Sequence, residues 1–426
     1  MGDPPTAVEP PSDLTVLIVS DFAHVNGGAA QVAIQSAVGL NQRGINVVFA
    51  YAAGPVDERL TSAGITAVRL PFDEVWTKTN PVSAALQGIW NSAAASLFKD
   101  ILARYDRRQT VVHFHQWTKC LSPSVIAITL ALDFRTIITA HDYFLACPNG
   151  ALYNFNTNQP CSLTPMSPRC LVANCDSRSM AHKLVRVARQ SVQSIRMSRA
   201  YRQPSFIHVS EFARKIGESL ITIPGKHFTV GNPVLLQRLD RAMPETNREV
   251  LFVGRLVPEK GCIDLALAAH RIGMPVAFAG SGPAYKAILM ANPNARMLGW
   301  IESSDLRAVV RRSRALIFPS RWNEPSGLVC FEALADGIPV VASRRTAAAR
   351  LIENGGNGLL IDPGDQVEFD RALSTLQSDE VVSRMSRFAF RHYWSAPPSI
   401  DRHLDELIEV YEDALVTRLS EETGKC

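Results

Sequence analysis

Two glutamates, Glu324 and Glu332, flank a predicted strand–loop–helix junction in the C-terminal half of the chain. An apolar run before them predicts a buried strand, and apolar residues at helical spacing after Gly327 predict a short helix. The carboxyl end of a strand in an open α/β sheet is where ligands bind. The free N–H groups of Gly327, Leu328 and Val329 favour an anion there, most simply a phosphate. On one helix the two carboxylates would lie roughly 12 Å apart, at about 1.5 Å per residue. We therefore predict that they have separate roles.

Two basic residues follow another predicted strand, EVLFVGRL, which ends at Gly254 and Arg255. Lys260 precedes the next predicted helix, so both cations lie near the carboxyl end of a strand. Two cations in this position suit a diphosphate, although two ordinary surface residues are the alternative. Further along the chain, Gly280 lies in a turn after a predicted strand, and Gly299 follows another apolar stretch.

The N-terminal part begins with a near-continuous apolar strand, a helix and a second strand, which predicts a doubly wound domain. Gly27 and Gly28 open the helix, where a glycine pair lets backbone approach a ligand closely. A simple turn is the alternative. The pair lacks the full dinucleotide fingerprint, which disfavours a nicotinamide cofactor. His141 follows another predicted strand and is either a satisfied loop histidine or a substrate contact.

The motif Glu-Pro-x-Gly-Leu-x-x-x-Glu-Ala, followed by Gly-Ile-Pro-Val-Val-Ala-Ser, resembles the signature of the retaining glycosyltransferases of family 4. Gly-Arg-Leu-x-x-Glu-Lys-Gly resembles the segment with which that family grips a diphosphate. The resemblance is strong over 250–365, moderate over 14–50 and 110–145, and poor over 147–205. It implies an α/β protein of the GT-B fold, with two Rossmann-like, doubly wound domains facing each other across a cleft.

The resemblance also implies transfer of a sugar from a nucleotide-sugar donor to a glycan or lipid-linked acceptor, with retention at the anomeric carbon. By similarity, Glu324 contacts the donor sugar and Glu332 holds the ribose hydroxyls. Arg255 and Lys260 stabilise the leaving diphosphate, and His141 contacts the sugar from the opposite domain. The expected setting is cell-surface polysaccharide or glycolipid synthesis.

Backbone positions complete the expected donor site. The family's N-terminal glycine loop, here Gly27 and Gly28, faces the donor phosphates, and backbone near Gly299 contacts the base. We also assign Gly254 and Gly280 to donor binding. No Asp-x-Asp motif is present in the sequence, so a catalytic metal is not required, and the nucleotide-sugar is a co-substrate.

The 426 residues suggest two or three domains. We predict a disordered tail at 1–13, an acceptor domain at 14–235, a nucleotide-sugar domain at 249–395 and a C-terminal helix at 396–426 that crosses back to the N-terminal domain. The net charge of +4 does not indicate nucleic acid. The tail does not resemble a signal peptide, and the sequence has no apolar run long enough for a membrane helix. A cytoplasmic protein is expected.

An insertion at 147–175 contains four cysteines, Cys147, Cys161, Cys170 and Cys175. They could hold a structural zinc ion, but the spacing lacks the usual Cys-x2-Cys knuckle, and reduced packing cysteines are the alternative. A basic amphipathic helix is predicted at 178–202. It could lie on the inner leaflet of a membrane as a peripheral contact, or be an ordinary solvated helix.

Three other function classes fit parts of the pattern. A nucleotide-sugar 2-epimerase of the same fold would need different catalytic carboxylates and would lack this Arg–Lys pair. A non-catalytic sugar-nucleotide-binding protein would be expected to have lost Glu324 or Lys260, and both are present. A membrane scaffold would use only the basic helix.

Overall fold

The computed structural model describes residues 13–416 and divides into two α/β units. The first unit contains the chain up to Gly150, Leu163–Pro233 and the chain from Pro398 onward. The second contains Ala151–Ser162 and Val234–Pro397. The predicted insertion at 147–175 is thus divided between the two units. Residues 1–12 of the predicted tail, and the last part of the predicted C-terminal helix, lie outside the described residues.

A seven-stranded parallel sheet forms the centre of the first unit, in the order β3-β2-β1-β4-β5-β8-β9. Val16 and Ile18 of its central strand pack on one face, and Leu17 and Val19 pack on the other. Successive side chains of a strand point to opposite faces, so a sheet covered on both sides needs a continuous apolar run. With strands numbered along the whole chain, the seven are β1 (Thr15–Phe22), β2 (Asn46–Ala53), β3 (Thr66–Arg69), β4 (Thr110–Phe114), β5 (Arg135–Ala140), β8 (Ser205–His208) and β9 (Lys226–Thr229).

Nine α-helices are described in this unit: α1 (Gly28–Gln42), α2 (Glu58–Ser62), α3 (Pro81–Ile89), α4 (Ser92–Leu102), α5 (Ser124–Ala131), α6 (Pro168–Val172), α7 (Met180–Ser198), α8 (Glu211–Leu220) and α15 (Ile400–Val416). Two separate helices, α3 and α4, cover most of residues 81–102. The chain breaks at Trp90 and Asn91 because the Asn91 side chain caps α4, accepting a hydrogen bond from the Ala94 N–H at 3.0 Å.

The second unit has a six-stranded parallel sheet in the order β12-β11-β10-β13-β14-β15, and a separate two-stranded hairpin. Its strands are β6 (Tyr153–Asn154), β7 (Gln159–Pro160), β10 (Val250–Val253), β11 (Val276–Ala279), β12 (Arg296–Gly299), β13 (Leu316–Phe318), β14 (Val340–Ser343) and β15 (Gly358–Ile361). Its helices are α9 (Cys262–Ile272), α10 (Tyr285–Ala291), α11 (Ser303–Arg311), α12 (Leu328–Ala335), α13 (Gln366–Thr375) and α14 (Asp379–Ser395).

The last described helix, α15, packs on α1 in the first unit. Leu404 is buried against Gly39, where an added Cβ would lie 2.7 Å from the leucine Cδ1. His403 is hydrogen-bonded to Ser36 Oγ at 2.8 Å and to the Gly231 carbonyl at 2.7 Å. The helix therefore completes the core of the first unit. Over residues 13–416, no helix has both the length and the apolar character needed to cross a membrane.

Candidate functional site

The loops at the carboxyl edge of the second sheet are joined to one another through their backbones. The Gly254 N–H donates to the Ala279 carbonyl at 3.0 Å, and the Gly280 N–H donates to the Gly299 carbonyl at 2.7 Å. A Cβ on Gly280 would lie 1.9 Å from the Gly254 carbonyl oxygen, and both glycines have positive φ, 145° and 148°. Only glycine permits this approach. The three predicted glycines thus form a fixed shelf of backbone at the edge where ligands bind.

Lys260 and Glu324 form an ion pair at the same edge. Lys260 ends a short 3-10 helix, Pro258–Lys260, and its Nζ contacts Glu324 Oε1 and lies 5.3 Å from the ring centroid of Trp322. The two charged side chains are only 15% and 14% exposed. The second carboxylate oxygen, Glu324 Oε2, is buried and has no hydrogen-bond partner among the described residues. Since buried polar atoms are nearly always paired, this oxygen is an acceptor available to a ligand hydroxyl.

The backbone around Glu324 is held by neighbouring loops. Its carbonyl accepts the Ala347 N–H at 2.9 Å, next to a bridge with Thr346 after β14. Three residues earlier, the Arg321 guanidinium makes two 2.6 Å hydrogen bonds to the Asp264 carboxylate in the first turn of α9. Sequence reasoning missed this Arg–Asp pair, whose only signal was an acidic residue at a helix start. The pair fixes the loop that carries the glutamate.

Arg255 is exposed, and its side chain makes no ion pair or hydrogen bond with the described residues. It directly follows Gly254 on the backbone shelf. Its guanidinium is therefore available to an external anion.

Helix α12 begins immediately after Gly327, which provides no side-chain cap. The first N–H groups of a helix have no partner within it, so those of Leu328 and Val329 are available to an anion, and the helix dipole favours it. Glu332 lies one turn further on. Burial raises its pKa to about 7, opposed by the positive charge of Arg307. Such a residue differs from an ordinary solvated helix glutamate.

Three histidine rings lie next to one another at the carboxyl edge of the first sheet. The His113 and His115 rings are 4.2 Å apart, and His115 Nδ1 is hydrogen-bonded to His141 Nε2 at 3.0 Å. His113 is itself held by Tyr411 Oη at 2.8 Å and Thr139 Oγ1 at 2.7 Å. Burial lowers the pKa of His113 and of His141 to about 3, so both are neutral at ordinary pH. The predicted sugar contact, His141, is thus positioned by other histidines.

Asp21, at the end of β1, was not singled out from the sequence. It is buried, and its carboxylate accepts the backbone N–H groups of Lys119, Cys120 and Leu121 at 2.8, 3.0 and 3.2 Å. Burial raises its pKa, and these hydrogen bonds oppose the change. The only signal in the sequence was an acid inside an apolar strand. Asp21 fixes the loop that follows β4.

The predicted glycine pair lies where α1 begins. Gly27 is the N-cap residue, and Gly28 is the first residue of the helix. Gly27 has no atom within 4 Å of an added Cβ, so the space beside it is open. The backbone at this helix start is accessible.

Three of the four predicted zinc ligands surround a lysine instead. Cys147, Cys170 and Cys175 are buried in the first unit, while Cys161 belongs to the second. Lys183, which has no exposed surface, donates to Cys175 Sγ at 3.1 Å and to Cys170 Sγ at 3.6 Å. We call these three cysteines and the lysine the thiol cluster. Within residues 13–416, no group of three or more His, Cys, Asp or Glu side chains could hold a metal ion. The arrangement does not fit a four-cysteine zinc site, because an ammonium group contacts two of the sulfurs.

The predicted basic helix is α7, capped by the Ser179 side chain. Two of its cations point inward: Lys183 into the thiol cluster, and Arg189 toward the Pro148 carbonyl at 3.3 Å. Arg186 is paired with Asp176 at 3.2 Å. Fewer positive charges are exposed on this helix than its sequence indicates.

Comparison with known proteins identifies the class first by fold. The structure resembles sucrose-phosphate synthase from Thermosynechococcus elongatus, with a TM-score of 0.69 and 15% identity, over 95% of this chain and 100% of that one. It also resembles Anabaena HepE in complex with UDP and glucose, with a TM-score of 0.65 and 16% identity, over 94% and 99% of the two chains. With its two parallel sheets, the protein has the GT-B fold, and the predicted fold class is confirmed.

The sequence of the second unit gives a narrower comparison. Residues 237–393 match the model of the family described as Glycosyl transferases group 1. Among curated relatives, the chain is 30% identical over 154 residues to the glycogen synthase of Mycobacterium tuberculosis, covering 34% of this chain and 37% of the relative. It is 32% identical over 210 residues to the D-inositol 3-phosphate glycosyltransferase of Salinispora tropica, covering 43% and 42%. The chain thus spans less than half the length of these relatives. The narrower assignment to family 4 stays a prediction.

Proposed function

We propose that the protein is a retaining glycosyltransferase that moves a hexose from a nucleotide-sugar donor to a glycan or lipid-linked acceptor. One observation carries the proposal. At the carboxyl edge of the second sheet, a largely buried carboxylate has one oxygen on Lys260 and the other, Glu324 Oε2, without a hydrogen-bond partner among the described residues. Sugar hydroxyls are the donors that such an oxygen accepts.

The leaving diphosphate gains negative charge as its bond to the sugar breaks. Arg255, Lys260 and the start of α12 supply positive charge in fixed positions, and fixed charge is usually the largest source of transition-state stabilisation. Arg255 has no competing acidic partner among the described residues. Lys260 would exchange part of its contact with Glu324 for a phosphate oxygen. No metal is needed for this role.

The two glutamates have different environments, which supports separate roles. Glu324 is paired with a cation, whereas burial raises the pKa of Glu332 to about 7. We assign Glu324 to the transferred sugar and Glu332 to the ribose hydroxyls. The N-terminal residues Gly27, Gly28 and His141 stay predicted donor contacts. A 2-epimerase of the same fold or a non-catalytic sugar-nucleotide-binding protein is the alternative, and the product formed from the donor distinguishes each of them from a transferase.

Molecules bound to two similar structures support the proposed donor and acceptor classes. Anabaena HepE is described in complex with UDP-glucose, and Staphylococcus aureus TarM with UDP and a GlcNAc-glycerol. We extend a nucleotide-sugar donor and a glycan or lipid-linked acceptor to this chain, in polysaccharide or glycolipid synthesis. A cytoplasmic location with peripheral contact at the inner membrane face remains part of the proposal.

A thermal-shift screen against UDP-, GDP-, ADP- and TDP-sugars tests the donor. A ligand at 100 times its Kd stabilises the native state by about 2.7 kcal/mol, so the cognate donor should stand out. That donor should then be hydrolysed or transferred with retention, detected by NMR of the anomeric proton. Binding without turnover would favour the non-catalytic alternative. Formation of the C2 epimer would favour the epimerase, and no stabilisation by any donor would contradict the whole proposal.

A further inference from the structure

A groove runs between α3 and α7 in the first unit and has a volume of about 420 Å³. This lies within the range of small-molecule sites. Its lining is mainly apolar and contains no acidic side chain. Its lining includes Val75, Trp76, Val82, Leu86 and Thr118.

Two large apolar side chains of this groove face solvent. Val82 is 66% exposed and Leu86 is 64% exposed, one helical turn apart on α3. The helix is fixed in place, because Asn80 caps it and the buried Gln87 donates to the Cys120 carbonyl at 3.1 Å. Two neighbouring apolar side chains held in water on a well-anchored helix indicate a surface that a ligand covers.

The opposite wall of the groove is cationic. The Arg178 guanidinium lies 4.2 Å from the centroid of the Trp76 ring, and that of Arg186 lies 5.5 Å from it. Arg186 already has Asp176 as a partner. Arg178 and Lys78 line the groove, are exposed, and form no ion pair with an acidic side chain of the described residues. The groove therefore carries uncompensated positive charge next to its apolar wall.

The groove opens at the functional edge of the first sheet. Val75 belongs to the segment after β3, and Thr118 to the loop after β4 that Asp21 holds in place. Arg189, which also lines it, interacts electrostatically with Asp142, the neighbour of His141. The groove thus shares Arg189 and the loop after β4 with the edge of the sheet that carries His141.

We propose that this groove binds the acceptor as a single amphiphile, a lipid phosphate whose apolar chain covers Val82 and Leu86 and whose phosphate contacts Arg178 and Lys78. The acceptor role rests on the glycosyltransferase function proposed above. A phosphate matches these two cations, which have no acidic partner within residues 13–416, and charge-assisted contacts are the stronger kind of hydrogen bond. A bilayer surface is the competing occupant, but a groove that holds one chain between two helices favours one molecule.

The probe is dodecyl phosphate, kept below its micellar concentration. Binding is measured by the change in tryptophan fluorescence, and the contribution of Trp76 is identified as the part of the change that disappears in Trp76→Phe. We expect a saturable change with dodecyl phosphate and none with dodecyl maltoside or inorganic phosphate. Leu86→Glu should weaken binding by more than about tenfold, since it sets a carboxylate against the apolar chain of the probe. Arg178→Ala should weaken it by about tenfold through the lost charged contact.

Matched controls exist in the same unit. Val172 is 77% exposed on α6, Arg199 is exposed at the end of α7, and neither lines the groove. Val172→Glu and Arg199→Ala should bind dodecyl phosphate as the unaltered protein does. Equal binding of dodecyl maltoside, or unaltered binding by Leu86→Glu, would overturn the proposal. A further result would also overturn it. If dodecyl phosphate never binds but phosphatidylglycerol vesicles do, and Leu86→Glu abolishes binding to the vesicles, the surface is a membrane contact.

The outcomes separate this inference from the donor site. A nucleotide-sugar that stabilises the protein while dodecyl phosphate does not bind would overturn only the groove. Saturable binding of dodecyl phosphate with no response to any nucleotide-sugar would support the lipid site and contradict the transferase function, and with it the acceptor role.

Discussion

Lys260→Ala separates the structural role of the Lys260–Glu324 ion pair from its chemical role. The substitution leaves a carboxylate that is 14% exposed without its cation. Breaking a fully buried pair costs about 3–5 kcal/mol, and an exposed pair contributes about 0.2–1 kcal/mol. We expect about 2 kcal/mol for this partly buried pair. At about 2–4 °C per kcal/mol for a unit of this size, the Tm should fall by about 4–8 °C.

The same substitution should reduce turnover beyond the loss of stability. Removing one fixed donor from a site where negative charge develops typically lowers kcat about 10²–10³-fold, or about 2.7–4 kcal/mol. Donor binding should weaken much less, because Arg255 and the start of α12 remain. Turnover is measured well below the lowered Tm, as release of nucleoside diphosphate at saturating donor.

Two further variants complete the test. Arg255→Ala removes an exposed cation that has no ion-pair partner among the described residues. The free energy of unfolding should therefore change by less than about 0.5 kcal/mol, while turnover falls. Lys260→Ala combined with Glu324→Gln removes both charges and should recover part of the lost stability. An unchanged Tm in Lys260→Ala, or no recovery in the double variant, would refute the energetic argument. Near-normal kcat in both single variants would refute the diphosphate role.

Four other expectations follow from the described geometry. Burial raises the pKa of Glu332 to about 7, and its ionised form accepts hydroxyl groups better, so donor affinity measured by calorimetry should rise from pH 6 to pH 8. The Glu332→Gln variant should show no dependence of donor affinity on pH over this range. The same lack of dependence in the unaltered protein would contradict the ribose role. Tyr411→Phe leaves a buried nitrogen of His113 unpaired and should cost about 1–3 kcal/mol in urea unfolding, so an unchanged midpoint would count against that hydrogen bond. Gly280→Ala should destabilise the protein by at least about 1 kcal/mol more than Gly273→Ala. Both glycines have positive φ, but only at Gly280 would the added Cβ collide with backbone atoms. Equal losses of stability would contradict the close backbone packing of the shelf. Mass spectrometry of reduced, chelator-free protein should find zinc well below one equivalent, and a full equivalent would contradict the lysine-centred thiol cluster.

Local patterns in the sequence were enough to predict the elements that carry the site. The apolar run of β1 predicted a strand buried on both faces, and spacing after Gly327 predicted α12. Both signals lie within one element, so side-chain periodicity reveals them. The break between α3 and α4 also has a local cause, because the Asn91 side chain caps α4.

Contacts between distant residues could not be predicted in this way. Lys260 and Glu324 are 64 positions apart, and each was assigned to a ligand because its partner was unknown. Lys183 belongs to the predicted basic helix at 178–202, yet it is buried among thiols. A spacing rule for cysteines contains no information about a lysine from another element. Such features depend on packing, which only the folded chain defines.

The position of α15 has a consequence for the order in which the protein is synthesised and folds. Leu404, Ile408 and Tyr411 fill the core of the first unit, so that core stays incomplete until these residues leave the ribosome. The sheet of the second unit uses only residues 250–361 and can form earlier. Domains usually fold from the N-terminus as they emerge. Here the unit that begins the chain is the last to be completed, and until then the α1 surface around Gly39 is an uncovered apolar patch that would need protection from aggregation.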